Sequence, residues 1–319
     1  MRSHFKDGKW SSPVMNLSSE ITLHMAATCL HYGQEVFEGL KAYRGKDGKI
    51  RLFRVEENAR RMINSANYLK MEAPSEQLFI EAVKMAVNAN LDFVPPYEGG
   101  ATLYIRPLLI GTSAQVGVKP SSEFLFVVFV TPVGPYFKGG FKPVSVIIDR
   151  EHDRAAPLGT GHSKTGGNYA ASLLSLDLCV AQGYATALYL DAKEKKYVDE
   201  CGPANFFGIK NNTYITPKSH SILPSITNMS ITKLAEDMGM KVERRQVPVE
   251  ELSTFEEAGE CGTAAVITPI GKIFDPVTNR TITYSDGNTA GAISTQLYQR
   301  LRAIQYGDAP DPYGWVTFV

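Results

Sequence analysis

Apolar residues in this chain follow two spacings, and segments of each kind alternate along its length. Ala59, Met62, Ile63, Ala66 and Leu69 recur every three or four positions, which predicts a helix over 56–69. The short run 49–53 before it reads as a strand. Ser75 is a fitting helix cap, and Leu78, Ala82, Val83, Ala86 and Val87 give the next helix an apolar face. Pro95-Pro96 and Gly99-Gly100 mark a loop. Residues 101–106 alternate like a strand, and 124–131 are continuously apolar, as in a buried strand.

The pattern then breaks. Two prolines and three glycines fall within 132–140, and such residues punctuate a chain rather than continue an element. This places a first domain at 1–133, a linker at 134–142 and a second domain at 143–319. The second part opens with an apolar strand at 144–148. Ala170, Leu173, Leu174, Leu178 and Ala181 follow helical spacing from Gly167, with Gly183 as the stop. Strands are expected at 186–190, 196–199 and 205–209, and a helix at 227–238 ended by Gly239. Ile293, Leu297, Leu301 and Ile304 mark a last helix that stops at Gly307. Strands and helices mix in both parts, so the expected class is a two-domain α+β (mixed α/β) fold. No internal repeat or low-complexity segment is present.

Length and charge narrow the function. A chain of 319 residues is long enough for two ordinary cores. Lys plus Arg number 33 and Asp plus Glu 33, so the basic excess of a general nucleic-acid binder is missing. The first residues lack signal-peptide character, and no apolar run reaches membrane-spanning length. Cys29, Cys179, Cys201 and Cys261 are scattered, with neither a disulfide framework nor a metal-binding spacing. A cytoplasmic enzyme with free thiols and no metal is expected.

The densest chemistry lies around Lys164, in Gly159-Thr160-Gly161-His162-Ser163-Lys164-Thr165-Gly166-Gly167-Asn168-Tyr169. Small residues flank one lysine, leaving its amine free to reach a bulky planar group. A lysine that condenses with an aldehyde needs such a rigid, desolvated setting near other positive charge. Tyr169 opens the following helix, where its phenol can donate to a ring oxygen. Glu200 ends a strand before the Gly202-Pro203 turn. A carboxylate there can hold a pyridinium nitrogen protonated. Two segments suit a phosphate: Ser221 to Thr227, leading into a helix N-terminus, and the small-residue turn Gly262-Thr263-Ala264-Ala265. Arg61 can add a compensating charge. Tyr104 and Arg106 alternate on a strand and so share a face, with Arg106 suited to a carboxylate. Tyr32 and Phe37 add aromatic surface. Taken singly, each has an ordinary alternative: a solvated lysine, a half-buried tyrosine, a turn glutamate, a structural arginine or a core aromatic.

Together these segments resemble the branched-chain amino acid aminotransferases, within the fold-type IV pyridoxal-phosphate enzymes. The resemblance runs in order through His31-Tyr32-Gly33-Gln34-Glu35-Val36-Phe37-Glu38-Gly39, Tyr104-Ile105-Arg106-Pro107, Pro132-Val133-Gly134-Pro135-Tyr136, Lys164-Thr165-Gly166-Gly167-Asn168-Tyr169, Gly262-Thr263-Ala264-Ala265 and Ile304-Gln305-Tyr306-Gly307. It implies a small N-terminal domain and a larger C-terminal domain with a mixed sheet or barrel. It implies pyridoxal 5'-phosphate as cofactor, with Lys164 as its Schiff-base lysine and proton shuttle. Tyr169 would bond the ring oxygen, Glu200 would pair with the ring nitrogen, and Arg61, Ile226, Thr227 and Thr263 would hold the phosphate. Tyr32, Phe37, Tyr104 and Tyr136 would shape the substrate pocket, with Thr263 and Ala264 near the α-carboxylate. Arg106 would receive the distal carboxylate of glutamate.

The implied reaction moves the amino group of leucine, isoleucine or valine to 2-oxoglutarate, giving L-glutamate, in a ping-pong sequence. A homodimer is implied, with Val116 and Val118 reaching into the partner's pocket. One departure stands out. Some members carry a Cys-x-x-Cys pair just after the Gly-Thr-Ala turn, whereas Thr263-Ala264-Ala265-Val266-Ile267-Thr268 has no cysteine, so a thiol switch there is absent. Pro203 and Ala204 receive no role. The nearest alternatives on the same fold are a D-amino acid aminotransferase and an aminodeoxychorismate lyase; Tyr104-Ile105-Arg106 and the Val-Gly-Pro-Tyr linker favour the branched-chain reading. A non-enzymatic cofactor-binding protein would be expected to have lost Lys164, Tyr169, Glu200 or Arg61. A nucleotide-binding protein would need a complete phosphate-loop motif, which is absent.

Overall fold

A computed structural model describes residues 1–134 and 141–319. The chain divides into two compact units, Met1–Pro135 with Ser163–Gly167 and Ile304–Val319, and Tyr136–His162 with Asn168–Ala303. This differs in two places from the division into 1–133 and 143–319. The lysine loop and the C-terminal tail both group with the first unit. The tail ends in a strand, Val316–Phe318, that pairs with residues 51–53. The loop hydrogen-bonds to residues 35, 37 and 65. Such long-range pairing leaves no mark in local composition.

In the first unit, β1 (Arg2–Lys6), β2 (Lys9–Trp10), β3 (Glu35–Phe37), β4 (Leu40–Arg44), β5 (Ile50–Phe53), β6 (Thr102–Gly111) and β7 (Phe124–Val133) form one sheet. Its order is C-terminal strand, β5, β4, β6, β7, β1, β2, with β3 also on β6. Helix α1 (Thr28–Tyr32) is short, while α2 (Val55–Tyr68) and α3 (Glu76–Asn88) supply the helical half of the core. Ala59, Met62 and Ala66 of α2 are fully buried. Ser75 caps α3, its side chain accepting the Leu78 N–H at 3.1 Å. The buried stripe of α3 is Phe79, Ala82, Val83, Ala86 and Val87, at the 3–4 spacing of one face. Leu78, expected inside, is one position off that stripe and half-buried.

Strand β6 runs five residues beyond its expected end, straight through Pro107. A proline inside a sheet lacks a ladder donor, so its neighbour must have a gap. That gap exists here. β3 pairs with residues 108–110 of β6 and β4 with 103–105, leaving Glu38 and Gly39 between them. The Pro107 carbonyl accepts the Glu38 N–H at 2.8 Å. The missing proline donor therefore faces the break.

The second unit contains β8 (Val144–Asp149), β9 (Thr186–Leu190), β10 (Val198–Cys201), β11 (Asn205–Lys210), β12 (Thr213–Pro217), β13 (Lys241–Arg245), β14 (Glu257–Gly262), β15 (Val266–Asp275) and β16 (Arg280–Thr283). The order β10-β9-β8-β15-β14-β11 closes on itself, because β10 also pairs with β11. The result is a six-stranded barrel filled by residues such as Ile148, Leu188, Phe206, Ile270 and Ile273. Helices α4 (Gly166–Ala170), α5 (Leu173–Ala181), α6 (Ile226–Asp237) and α7 (Ala292–Tyr306) follow in the chain. The single helix expected from Gly167 to Gly183 is thus two. Leu173, Leu174 and Leu178, expected on its buried face, are exposed, while Ser175 and Cys179 are buried. α5 is apolar on nearly every side, so periodicity alone selects no face.

Both tryptophans, Trp10 and Trp315, lie in the first unit, so their fluorescence reports its unfolding. Phe79→Ala is expected to cost about 3–5 kcal/mol in urea unfolding read this way, and Leu78→Ala less than about half of that. Equal losses would place Leu78 in the core.

Candidate active site

The lysine loop is tied down at every step. Lys164 donates its backbone N–H to Ser65 Oγ at 2.9 Å, and its carbonyl accepts the Phe37 N–H at 3.0 Å. Thr165 Oγ1 donates to the Glu35 carbonyl at 2.8 Å, and the Gly166 N–H donates to the Glu35 carboxylate. A Cβ at Gly166 would overlap that carboxylate, which explains the small residue after the lysine. The loop thereby fixes the lysine stem against β3 and α2.

Around the amine lie Phe37, Arg61, Glu38, Tyr104 and Arg106. Lys164 Nζ sits 4.9 Å from the centre of the Phe37 ring, and the Arg106 guanidinium 4.8 Å from the same centre. Glu38 is fully buried. It accepts from Arg61 Nε and Nη2, each at 2.8 Å, and from Asn58 Nδ2 at 2.7 Å. Gly39 must be glycine, since a Cβ there would overlap the Tyr104 phenol. Burial, followed by the Arg61 charge, lowers Lys164 from the usual lysine range to about 8, with Glu38 and Tyr104 pulling the other way. An amine so placed is unprotonated in part near neutral pH, and nucleophilic. Arg106 Nη2 donates to Tyr104 Oη at 3.2 Å, as expected for neighbours on one face, while Arg106 Nε is buried without a hydrogen-bond partner among the described residues.

Glu200, in the second unit, is 2% exposed. Arg154 Nη1 lies 2.8 Å from Glu200 Oε1, which also accepts the Leu223 N–H at 3.1 Å. Asn205 Nδ2 donates to Oε2 at 2.7 Å. Burial raises the carboxyl to about 7 despite the opposing Arg154 charge. Arg154 Nη1 further donates to the Ser221 carbonyl at 2.7 Å and the Gly161 carbonyl at 3.3 Å. It therefore joins Glu200 to the segment before α6. Ser225 caps α6, accepting the Asn228 N–H at 3.1 Å, and Ile226 and Thr227 are buried in its first turn. The Gly262-to-Ala265 turn joins β14 to β15. Thr263 is half-buried, Ala264 exposed, and the turn ends at Val266 with φ of 66°. A β-branched residue in that region is strained by about 1–3 kcal/mol, a cost that concentrates at functional turns. Tyr169 is half-buried at the end of α4. Thr160 and Asn168 hold the start of that helix through reciprocal bonds of 2.6 and 2.8 Å.

Some expected residues lie apart from these clusters. Tyr32 is exposed, and its hydroxyl donates to the Val116 carbonyl. Val116 and Val118 are 83% and 86% exposed. Tyr136 lies outside the described residues. Sequence reasoning missed Ser65, Glu35 and Glu38 on the lysine side, and Arg154 and Asn205 on the Glu200 side. Glu38 carried a faint signal, a carboxylate before glycine in an otherwise apolar stretch. Arg154 carried none.

Residues 35–273 match the family model described as amino-transferase class IV. The chain belongs to the class IV aminotransferases. It is 49% identical to a branched-chain-amino-acid aminotransferase of Haemophilus influenzae over 99% of this chain and 94% of that protein. Its fold is similar to that of the Escherichia coli branched-chain amino acid aminotransferase, with a TM-score of 0.81 at 26% identity and 98% of each chain covered. A branched-chain aminotransferase of Thermobaculum terrenum, solved in its PLP-bound holo form, gives a TM-score of 0.75 at 28% identity, with 93% of each chain covered. The fold-type IV architecture and the aminotransferase activity expected of the sequence are thus the family's own.

In the cofactor-free protein, the rate of reductive methylation at Lys164, followed by mass spectrometry, is expected to rise with pH through about 8. Arg61→Gln removes a positive neighbour and leaves Glu38 without its charge partner, so both effects move that midpoint upward. An unchanged or lower midpoint would mean that Arg61 does not set the lysine's charge.

Proposed function

We propose that this aminotransferase moves the amino group of L-leucine, L-isoleucine or L-valine to 2-oxoglutarate, with pyridoxal 5'-phosphate as cofactor. The observation that carries the reading is Lys164: a lysine lowered to about 8, fixed at its backbone and set among aromatic and cationic side chains. The residues present suit this cofactor. The Lys164 amine suits its aldehyde, the buried Glu200 its ring nitrogen, and the capped start of α6 its phosphate.

When bound, pyridoxal phosphate supplies an aldehyde carbon and a ring that accepts electrons. Lys164 would hold and move the proton at the substrate α-carbon, a task suited to an amine near neutrality. Glu200 would pair with the ring nitrogen and favour its protonated form, with Arg154 keeping the carboxylate in place. Tyr169 donates to the ring oxygen. Ile226, Thr227 and Thr263, with Arg61, would hold the phosphate. The Thr263 and Ala264 amides would receive the α-carboxylate, and Phe37 and Tyr104 would enclose the alkyl chain.

One pocket must accept both an alkyl chain and a second carboxylate. Arg106 answers this through Nε, a buried donor with no partner among the described residues. Val116 and Val118, exposed on a single chain, complete the pocket of the partner subunit in a homodimer. No helix among the described residues is long and apolar enough to cross a membrane. We place the enzyme in the cytoplasm.

Holoenzyme given L-leucine without a keto acid should lose its cofactor's visible band, whereas D-alanine should leave the band in place. Lys164→Ala should abolish leucine turnover and borohydride trapping; near-normal turnover would remove Lys164 from the mechanism. Arg106→Gln should impair the glutamate half-reaction by about tenfold or more beyond any loss with leucine, because a charged hydrogen bond is lost only there. Equal losses would assign Arg106 to the shared α-carboxylate or to the strand.

A further inference from the structure

Behind the start of α6 runs a line of buried polar side chains that take no part in the chemistry described above. Tyr214 and Thr216 alternate on β12 and so share a face. Asn228, the third residue of α6, reaches both. Its Nδ2 donates to Thr216 Oγ1 at 2.9 Å, and its Oδ1 accepts from Tyr214 Oη at 2.8 Å. Thr216 Oγ1 donates in turn to the Phe206 carbonyl of β11 at 3.0 Å. At the other end, the Tyr214 phenol meets the Cys261 thiol of β14. Tyr214, Thr216, Cys261 and Asn228 are 0%, 2%, 1% and 8% exposed.

The Phe206 carbonyl fixes the direction of every bond. A carbonyl only accepts, so the one Thr216 hydroxyl proton goes to it. Asn228 must then turn its amide nitrogen towards Thr216 and its oxygen towards Tyr214. The one Tyr214 proton goes to Asn228, which leaves the Cys261 S–H as donor to Tyr214 Oη. Each hydroxyl gives one bond and receives one. A buried chain satisfied in a single arrangement holds its members at fixed spacing.

The elements it joins are the two assigned to the phosphate. The Asn228 N–H goes to the Ser225 side chain and the Met229 N–H to the Ser225 carbonyl. Of the first turn, this leaves the Ile226 and Thr227 amides for an anion. Cys261 stands two residues before Thr263, near the end of β14. Ile231, Leu234 and Ala235 bury the apolar face of α6, but apolar contact is non-directional. Two hydrogen bonds from one side-chain amide set the rotation and height of the helix start, which apolar packing alone leaves loose.

We propose that Tyr214 and Asn228 are positioning residues for the cofactor's phosphate. Their chain holds the α6 start and the 262–265 turn in fixed relation, so that one phosphate meets both. This rests on pyridoxal phosphate being the cofactor. Both side chains act through the backbone they hold. A network that only stabilised the core would affect every ligand of the fold alike, whereas this one should affect phosphate alone.

The test is equilibrium titration of the cofactor-free protein with pyridoxal 5'-phosphate, pyridoxal and inorganic phosphate. Tyr214→Phe removes one hydroxyl and keeps the ring, which stacks on Phe207 at 5.1 Å. It should weaken pyridoxal phosphate several-fold. Asn228→Leu leaves both Tyr214 and Thr216 without their partner, and should weaken it about tenfold or more. Pyridoxal, which has no phosphate, should bind both variants within about twofold of the unaltered protein. The double variant should bind no more weakly than Asn228→Leu, because one chain is cut either way. Equal losses for pyridoxal and pyridoxal phosphate, unchanged phosphate affinity in the folded variants, or losses that add in the double variant would each overturn the proposal. If Asn228→Leu fails to fold, Tyr214→Phe decides alone. An unaltered protein that takes up no pyridoxal phosphate would sink the functional reading instead. Inorganic phosphate would then read the α6 start by itself, with the same variants expected to weaken it.

Discussion

A carboxylate with no access to water organises the lysine side of this enzyme. Glu38 is fully buried, and an ion in that state survives only when paired and hydrogen-bonded. Its position follows from a break in the sheet. β3 ends at Phe37 and β4 begins at Leu40, so Glu38 and Gly39 face β6 where Pro107 has no N–H to give. Arg61 and Asn58, one helical turn apart on α2, meet the carboxylate there. The helix is thereby anchored to the sheet, and Ser65 on that helix receives the Lys164 N–H. The charge that satisfies Glu38 is also the charge that lowers Lys164. Well-packed apolar groups can replace many buried ion pairs at little energetic cost, but here the exchange would also remove the arginine charge that lowers Lys164.

The second unit repeats the device with the opposite emphasis. Arg154 holds Glu200 within a network that includes Asn205 and the Leu223 N–H. On the lysine side the buried carboxylate serves its arginine, and the arginine tunes the Lys164 amine. Here the arginine serves the carboxylate, which stays near the balance between its two protonation states. Both pairs sit where a strand ends or breaks, since a regular ladder leaves little room for a charged head within it.

What could be read from the sequence followed from local rules. The Ser75 cap and the stripes of α2 and α7 needed only spacing, and the stops at Gly183, Gly239 and Gly307 needed only the freedom of glycine at positive φ. The segments carrying Lys164, Tyr169 and Glu200 were legible because several chemical signals occurred in order. The rest depended on contacts distant along the chain. Barrel closure through β10 and β11 has no local signature. The α5 face was obscured by leucines on all sides, and the extension of β6 through Pro107 depended on a gap in its neighbours. Arg154 reads as one more loop arginine until Glu200, 2.8 Å away, is seen beside it. Ser65, likewise, becomes meaningful only because a loop ninety-nine positions later folds back onto α2.

The sites where the chain leaves polar groups unpaired are as informative as the satisfied ones. A folded protein gains nothing by burying a donor or acceptor alone, so such atoms persist where another molecule completes them or where a neighbouring function requires the strain. Arg106 Nε stands at one such place, on the strand face it shares with Tyr104. Val266, held at positive φ, lies between the Thr263–Ala264 turn and Thr268 on the same strand. The left-handed residue thus couples two features. It pairs with Gly262 at the closed end of the β14–β15 ladder, two residues before Thr268 meets Glu260. A substitution that relaxed Val266 would ease its backbone, but the relief would come at the expense of the geometry on both sides of it.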